Sequence, residues 1–218
     1  IPFVVDVKDL WPDVFVENLL GWKRRIAKIL LSYYYFATRK IYNRATGITT
    51  ITDKFLQYIE NFSNRDSNEL NKVFPLVSNL TLVNNNFNLV ENWWDSIGVY
   101  NDNIFKVVYV GNLSSNIDLS EVKNAAKLFK ERNIKIQFVI CGGGNYLEIF
   151  KHMMQDLDNV IFPGWVNQEQ VSVLAKRSNV WLIPYFNKEN FRLSLPNKTF
   201  DALYFGIPLL SSLEGEVK

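Results

Sequence analysis

The sequence predicts an α/β fold that is built on parallel sheets with helices on both faces. In the second half of the chain, short apolar runs alternate with helical segments, as in Val107–Val110, Leu119–Asn133 and Ile136–Cys141. Continuous apolar strands of this kind are typical of a parallel sheet that is covered on both sides. Glycine and polar residues follow these runs, which predicts loops at the carboxyl edge of the sheet, where such folds bind their ligands.

The first part of the chain repeats this alternation in a shorter form. Residues 1–7 read as a buried strand, and a helical stretch follows over about residues 15–44. The β-branched segment Ile48–Thr52 predicts a second strand. Asp53 is then expected to cap a helix over Lys54–Asn61.

The rest of the sequence predicts a further alternation of strands and helices. The glycines at 142–144 are expected to turn the chain into a helix that runs through Met154. Three further segments are predicted, a strand at Val160–Phe162, a helix at Gln168–Arg177 and a strand at Val180–Pro184. A last helix is expected to open at Pro196 and to close at Gly206, because proline favours helix starts and glycine favours helix ends.

Composition divides the chain into three regions. Residues 1–62 are predicted to be part of a first domain and residues 105–218 a second domain. Residues 63–104 are rich in Asn, Ser and Asp and have poor periodicity, so they predict a hinge and linker. Both ends of the sequence read as cut, so we expect an incomplete first domain and a truncated second one.

The overall balance is that of a globular protein. Of 218 residues, 48% are hydrophobic and 21% are charged, and the net charge of +2 gives no reason to expect a nucleic-acid partner. The only cysteine, Cys141, cannot form an internal disulfide, which predicts a reducing, cytoplasmic compartment. The apolar run Ile29–Phe36 is too short to span a bilayer.

A basic cluster lies in the first helical stretch and is interleaved with aromatic residues. Its members are Lys23, Arg24, Arg25 and Lys28, and Trp22 and Tyr33–Tyr35 lie nearby. One interpretation is a solvated helix face. The other is a face that lies on an anionic membrane, since cations and aromatics along a helix suit an interface.

The helix start near residue 196 carries the strongest chemical signal. Lys198 and Asp201 lie within one turn of that start, where free backbone N–H groups and the helix dipole favour an anion. A lysine and a carboxylate together suit a ligand that has both phosphate and hydroxyl groups. The glycines at 142–144 would let backbone approach such a ligand, although a plain turn explains them equally well. His152, the only histidine, is interpreted as a surface or packing residue, and no His/Cys cluster indicates a metal site.

Several ordered motifs resemble those of retaining glycosyltransferases of family 4, which have the GT-B fold of two Rossmann-like domains. The similarity extends over nearly the whole chain and points to the branch that assembles bacterial O-antigen and capsule polysaccharides. The motifs that carry it are Asp9-Leu10-Trp11-Pro12, the stretch Ala45–Leu56, Tyr109-Val110-Gly111-Asn112, Gly142-x-Gly144, Asn159-Val160-x-Phe162-x-Gly164-x-Val166 and Pro196-Asn197-Lys198-x-Phe200-Asp201-x-x-x-x-Gly206-x-Pro208.

The resemblance implies a transferase that uses a nucleotide-diphosphate sugar, with a UDP-sugar favoured over a GDP-sugar, and no metal. The acceptor would be a glycan or a lipid-linked acceptor, and the transfer would retain the anomeric configuration. The basic cluster separately suggests a location on the inner face of the cytoplasmic membrane. Residues 1–62 would form the acceptor side, with Lys8 and Asp9 facing the cleft. The implied donor-binding residues are Gly111, Asn112, Gly142, Gly144, Trp165, Val166, Pro196, Asn197, Lys198 and Asp201.

Departures from the family pattern keep a second interpretation open. Many relatives have two glutamates eight positions apart, where this chain has Leu193 and Asp201, and Asn112 stands where basic residues are common. Lys8 replaces a common histidine of the first domain. The alternatives are therefore a degenerate domain that binds sugar nucleotides without transferring sugar, or a membrane-associated adaptor.

Overall fold

The computed structural model describes residues 1–77 and 87–218, and these divide into two compact units. The first unit comprises Ile1–Leu76, Asn187–Leu195 and Glu214–Lys218, and the second comprises Val77–Phe186 and Pro196–Leu213. The segment 63–104, predicted as a hinge and linker, contains a strand at Lys72–Val73 and a helix at Phe87–Ser96, and its residues 78–86 lie outside the described residues.

The first unit contains a parallel sheet of three strands in the order β1-β2-β3. Its elements in chain order are β1 (Val4–Asp6), a 3₁₀ turn (Asp13–Phe15), α1 (Gly21–Leu30), α2 (Ser32–Arg44), β2 (Gly47–Thr50), α3 (Asp53–Ser63) and β3 (Lys72–Val73). The predicted strands and helices therefore exist here, but β1 is not the buried strand that the sequence suggested. Val4 is 62% exposed, because β1 lies at the edge of the sheet.

The start of α3 differs from the prediction by one residue. Thr52 is the capping residue, since its backbone is extended and its Oγ1 accepts a hydrogen bond from the Phe55 N–H at 3.1 Å. Asp53 is the first helical residue rather than the cap, and its carboxylate lies near the positive end of the helix dipole. The helix packs Phe55 and Ile59 against Ile48 of β2, which forms the core of this unit.

The helices α1 and α2 carry the basic and aromatic residues that the sequence singled out. Within the described first unit, α1 has no buried residue, and Trp22, Ile29 and Leu30 are exposed. Lys28 pairs with Asp13 at 3.0 Å and therefore has a partner within the protein. Among the residues that the structure describes, no helix combines the length and the apolar character needed to cross a bilayer.

The second unit contains a parallel sheet of five strands in the order β6-β5-β4-β7-β8. Its elements, together with one helix of the first unit, are α4 (Phe87–Ser96), β4 (Phe105–Val110), α5 (Ser120–Glu131), β5 (Ile136–Cys141), α6 (Leu147–Met153), β6 (Val160–Gly164), α7 (Gln168–Arg177), β7 (Val180–Ile183), α8 (Glu189–Leu193, first unit), α9 (Asn197–Phe205) and β8 (Leu209–Ser211). The predicted alternation of strands and helices is confirmed.

Both faces of this sheet are covered, as the continuous apolar strands predicted. Val108 of β4 packs in one core cluster with residues of α4, α7 and α9. Its neighbour Tyr109 points the other way and packs in a second cluster with residues of α5 and α6. Successive side chains of a strand alternate between faces, so each strand contributes to both cores.

The order of the strands reverses at β4. From β4 the chain continues to β5 and β6 on one side, and it then returns to β7 and β8 on the other. A reversal of this kind opens a crevice at the carboxyl end of the central strand, where ligands of such sheets bind. In this unit the crevice is expected just beyond Val110.

The segment Asn187–Leu195 belongs to the first unit, although second-unit residues flank it on both sides. Asn190 is buried, and its Oδ1 accepts a hydrogen bond from the Leu10 N–H at 3.1 Å. Leu193 packs against the core of the first unit, and its carbonyl oxygen accepts a hydrogen bond from the Thr52 hydroxyl. Leu193, the residue at a position where relatives often have glutamate, therefore has an apolar environment here.

Arg177 provides a test of the second unit's packing. Its side chain is 4% exposed and donates to Asp95 Oδ1 and to the Val99 carbonyl, both at 2.6 Å. Arg177→Met would leave both acceptors without this donor, so we expect the free energy of unfolding to fall by about 2–4 kcal/mol. Urea denaturation followed by tryptophan fluorescence measures the change. Lys127→Met, at a side chain that is 65% exposed, is the control and should change it by less than about 0.5 kcal/mol.

Candidate functional site

A pocket lies at the carboxyl end of β4, where the strand order reverses. Its volume is about 380 Å³, which lies within the usual range for small-molecule sites. The residues that line it are Val110, Gly111, Asn112, Gly142, Gly143, Gly144, Trp165 and Val166. The structure thus brings together the loops after β4, β5 and β6, including the residues predicted at 111, 112, 142, 144, 165 and 166.

Two glycines let these loops approach each other. A Cβ at Gly142 would collide with the carbonyl oxygen of Gly111, and a Cβ at Gly144 would collide with that of Leu113. Both glycines also have φ values, +134° and +140°, that side chains disfavour. The loops are then joined by a hydrogen bond from the Leu113 N–H to the Gly143 carbonyl at 2.8 Å. These glycines are therefore required by the packing of the pocket walls.

Three residues that line the pocket have backbone N–H groups without a backbone acceptor. Among the described residues, the N–H groups of Asn112, Gly143 and Gly144 donate to no backbone carbonyl. An N–H group without a partner carries a partial positive charge that favours an anion. These three N–H groups are therefore candidate donors for phosphate oxygens.

Lys198 places a cation beside Gly111, although Lys198 is not among the residues that line the pocket. It lies in the first turn of α9, directly after Pro196 and Asn197, and is 8% exposed. Its Nζ donates to the Tyr185 hydroxyl at 2.8 Å, and a Cβ built on Gly111 would lie 2.8 Å from that Nζ. Burial lowers the pKa of Lys198 to about 8, while the nearby carboxylate of Asp201 acts in the opposite direction.

Trp165 and Val166 form the third wall. Val166 is buried in the core of the second unit, whereas Trp165 is 75% exposed. A large aromatic side chain that remains exposed at a pocket offers a flat surface for a planar ring. The pocket thus combines a stacking surface with a group of anion-binding donors.

The remaining predicted residues lie elsewhere. Pro196, Asn197 and Asp201 belong to the start of α9 and do not line the pocket. Lys8 and Asp9 belong to the first unit. There Lys8 pairs with Asp6 at 3.2 Å, and Asp9 Oδ1 accepts a hydrogen bond from Asn190 Nδ2 at 3.3 Å.

His152 and Cys141, the histidine and the cysteine of the chain, do not line the pocket. His152 is exposed on α6, as the sequence interpretation had it. Cys141 is buried, and burial raises the pKa of its thiol, so it stays protonated at neutral pH. Within residues 1–77 and 87–218, no group of three or more His, Cys, Asp or Glu side chains lies close enough to hold a metal ion.

Sequence reasoning missed the two aromatic residues that contact Lys198. The rings of Tyr109 and Tyr185 lie 4.8 and 4.6 Å from its Nζ. Tyr109 reads as one more apolar residue of β4, and Tyr185 reads as the residue after a strand. Only their position at the ends of two neighbouring strands, β4 and β7, could have drawn attention to them.

The glycines of the loop after β5 allow a matched test. Gly142→Ala introduces a clash with backbone at a strained φ, so we expect the free energy of unfolding to fall by roughly 2–4 kcal/mol. Gly143→Ala is the control in the same loop, because a Cβ there meets nothing within 4 Å. Thermal unfolding followed by circular dichroism compares the two variants. Equal stability of both would mean that close loop packing does not require Gly142.

Comparisons with known proteins agree with this architecture. A family model described as glycosyl transferases group 1 matches residues 94–217. No curated protein sequence matches the chain.

Solved structures share the fold at low sequence identity. WaaG, a glycosyltransferase involved in lipopolysaccharide biosynthesis, is 16% identical with a TM-score of 0.69, and the match covers 97% of this chain and 57% of WaaG. A sucrose-phosphate synthase from Thermosynechococcus elongatus is 14% identical with a TM-score of 0.67, and the match covers 99% of this chain and 51% of the synthase. HepE from Anabaena, in complex with UDP and glucose, is 14% identical with a TM-score of 0.59, and the match covers 98% of this chain and 54% of HepE.

The chain therefore spans about half the length of these proteins. Their structures confirm the GT-B-type arrangement of parallel sheets that the sequence predicted. The family match extends over more than half of the chain and includes the whole pocket. The chain belongs to the glycosyl transferases group 1 family.

Proposed function

We propose that this protein transfers a sugar from a nucleotide-diphosphate sugar, with UDP-sugars favoured, to a glycan or lipid-linked acceptor in the synthesis of a cell-surface polysaccharide. Membership of the glycosyl transferases group 1 family supports sugar transfer. The observation that carries the proposal is the placement of the Lys198 ammonium beside Gly111, which lines a pocket that has three backbone N–H groups without a backbone acceptor. HepE, with UDP and glucose bound, and WaaG, in lipopolysaccharide biosynthesis, support the choice of donor and of pathway class.

Three parts of the donor, the diphosphate, the base and the ribose, would contact different residues of the second unit. The N–H groups of Asn112, Gly143 and Gly144, together with Lys198, would bind the diphosphate. Trp165, with Val166 beside it, would lie against the base. Asp201 would accept hydrogen bonds from the ribose hydroxyls, a role that the family resemblance implies.

In the transfer itself, the bond between the anomeric carbon and the diphosphate oxygen breaks, and UDP leaves with the electron pair. We propose that the acceptor hydroxyl forms the new bond on the face of that carbon from which UDP departs and passes its proton to the leaving diphosphate oxygen, so that the configuration is retained. Negative charge grows on the leaving oxygen as the bond breaks. Preorganised N–H donors and an ammonium stabilise this charge without reorganising, and the proposal requires no metal. Lys8 and Asp9 of the first unit are proposed to act on the acceptor side.

Lys198 is the residue to test first. Lys198→Met removes the charge but keeps an unbranched chain of similar length, so we expect the affinity of the intact protein for UDP to fall roughly tenfold to a hundredfold at pH 7. Wild-type affinity should also decline as the pH rises from 7 to 9, because Lys198 in the free protein loses its proton near pH 8. The variant should lack that decline. Isothermal titration calorimetry with UDP across this range measures both effects.

Turnover of a panel of UDP- and GDP-sugars by the intact protein completes the test. Lys127→Met, on the exposed face of α5, serves as the charge-matched control and should bind UDP like the wild type. Sugar transfer fails as a proposal if the wild type binds no member of the panel. Binding without turnover would instead support the degenerate, nucleotide-binding interpretation.

We also propose that α1 contacts the inner face of the cytoplasmic membrane. Within the described first unit this helix buries none of its side chains, and Trp22, Ile29 and Leu30 are exposed beside Lys23 and Arg25. Exposed apolar residues flanked by cations suit an anionic lipid surface. Lys28 contributes less, because Asp13 neutralises it.

Charge reversal separates the membrane proposal from a solvated helix face. Lys23→Glu with Arg25→Glu should reduce sedimentation with phosphatidylglycerol vesicles several-fold, since each cation near such a surface contributes about 1 kcal/mol. The control is Lys127→Glu with Lys130→Glu, which reverses the same number of charges on α5. Equal losses in both pairs, or no loss in the first, would leave α1 as a solvated face. Vesicle binding by a protein that binds no nucleotide would favour an adaptor.

A further inference from the structure

Lys198 lies between two tyrosine rings. Its Nζ is 4.8 Å from the centre of the Tyr109 ring and 4.6 Å from that of Tyr185. It also donates a hydrogen bond to the Tyr185 hydroxyl at 2.8 Å. The faces of aromatic rings carry negative potential, so two rings at this distance attract an ammonium group.

The two walls of this tyrosine cage, Tyr109 and Tyr185, come from neighbouring strands and are held in place. Tyr109 lies on β4, is fully buried, and donates from its hydroxyl to the Asn112 carbonyl at 2.9 Å. Tyr185 follows β7, which pairs with β4, and it forms a backbone bridge with Ile117. The same hydrogen bond of Tyr109 also fixes the loop that lines the pocket.

The two tyrosine rings counteract the effect of burial on the charge of Lys198. Burial removes water from Lys198 and favours its neutral form, in which it cannot neutralise a phosphate. The titratable groups that act on it are Tyr109 from β4, Tyr185 from the loop after β7 and Asp201 from its own helix. Burial raises the pKa of both tyrosines, so their hydroxyls stay neutral, and their rings stabilise the ammonium without forming a competing ion pair.

We propose that Tyr109 and Tyr185 are positioning residues that keep Lys198 charged and hold it at Gly111 for the diphosphate of the donor. This inference rests on the proposed function, because it assigns an anion to the pocket. It gives a role to Tyr109 and Tyr185, for which neither the family match nor the sequence motifs indicate one. It also predicts that a hydroxyl group remote from the pocket lining controls the affinity for nucleotide.

Tyr185→Phe removes the hydrogen-bond acceptor and keeps the ring, whereas Tyr185→Leu removes both. We expect the dissociation constant for UDP at pH 7 to rise about threefold to tenfold in Tyr185→Phe, and further in Tyr185→Leu. The pH at which affinity starts to decline should fall below the wild-type value in the same order, because each change favours the neutral amine. Calorimetry with UDP from pH 6 to pH 9 measures both quantities in the intact protein.

Tyr204→Phe is the matched control, since Tyr204 lies on α9 and is exposed. It should leave both the affinity and its pH profile unchanged. NMR titration of the Lys198 side chain, labelled with ¹³C at Cε, reads its protonation directly without any ligand. The expected result is a lower titration midpoint in both Tyr185 variants.

The outcomes separate the inference from the function on which it rests. If the wild type binds UDP but Tyr185→Phe and Tyr185→Leu keep the wild-type pH profile, the cage does not position Lys198, and the transferase proposal stands. Tighter UDP binding in these variants would also overturn the inference, because it would mean that the two tyrosines keep Lys198 away from the diphosphate. If the wild type binds no nucleotide, the proposed function fails, and the positioning role fails with it even where the NMR midpoint shifts.

Discussion

The reversal of strand order at β4 is the constraint on which the rest of the second unit depends. All strands of its sheet are parallel, so their carboxyl ends lie along one edge. At the reversal the connections on the two sides of β4 diverge and leave that edge uncovered. Loops that are separated by dozens of residues therefore meet beside Gly111, and the glycines at 142 and 144 make the approach possible.

Among its described residues, the second unit contains three buried cations, and their partners differ. Lys106 pairs with Asp102, and Arg177 pairs with Asp95, so each of these charges is neutralised where it stands. The Lys198 ammonium instead contacts two tyrosines, which stabilise it without cancelling its charge. Asp201 of the same helix also acts on Lys198. Because the groups that contact its Nζ are neutral tyrosines, the ammonium remains able to attract an anion, and it lies beside Gly111, which lines the pocket.

Local sequence was sufficient for most of the elements and for the loops of the pocket, but not for β3 and α4, which lie in the predicted linker of residues 63–104. Apolar runs and glycines mark β4, β5 and the loops after them, because those signals arise from a strand and its own turn. The tyrosine cage was not predictable in this way, since it depends on Tyr109 and Tyr185 meeting across two strands that are far apart in sequence. The cap of α3 was missed for a smaller reason. Thr52 and Asp53 are both good capping residues, and only the extended backbone of Thr52 decides between them.

The division of the chain between units also bears on the interpretation of Leu193. In the sequence, Leu193 is close to Lys198 and stands at a position where relatives often have glutamate, which favoured a degenerate site. In the structure, Leu193 belongs to the first unit and packs on its core, whereas Lys198 belongs to the second unit and lies against Gly111. The two residues have different environments, so the apolar side chain at 193 does not by itself argue against the role proposed for Lys198.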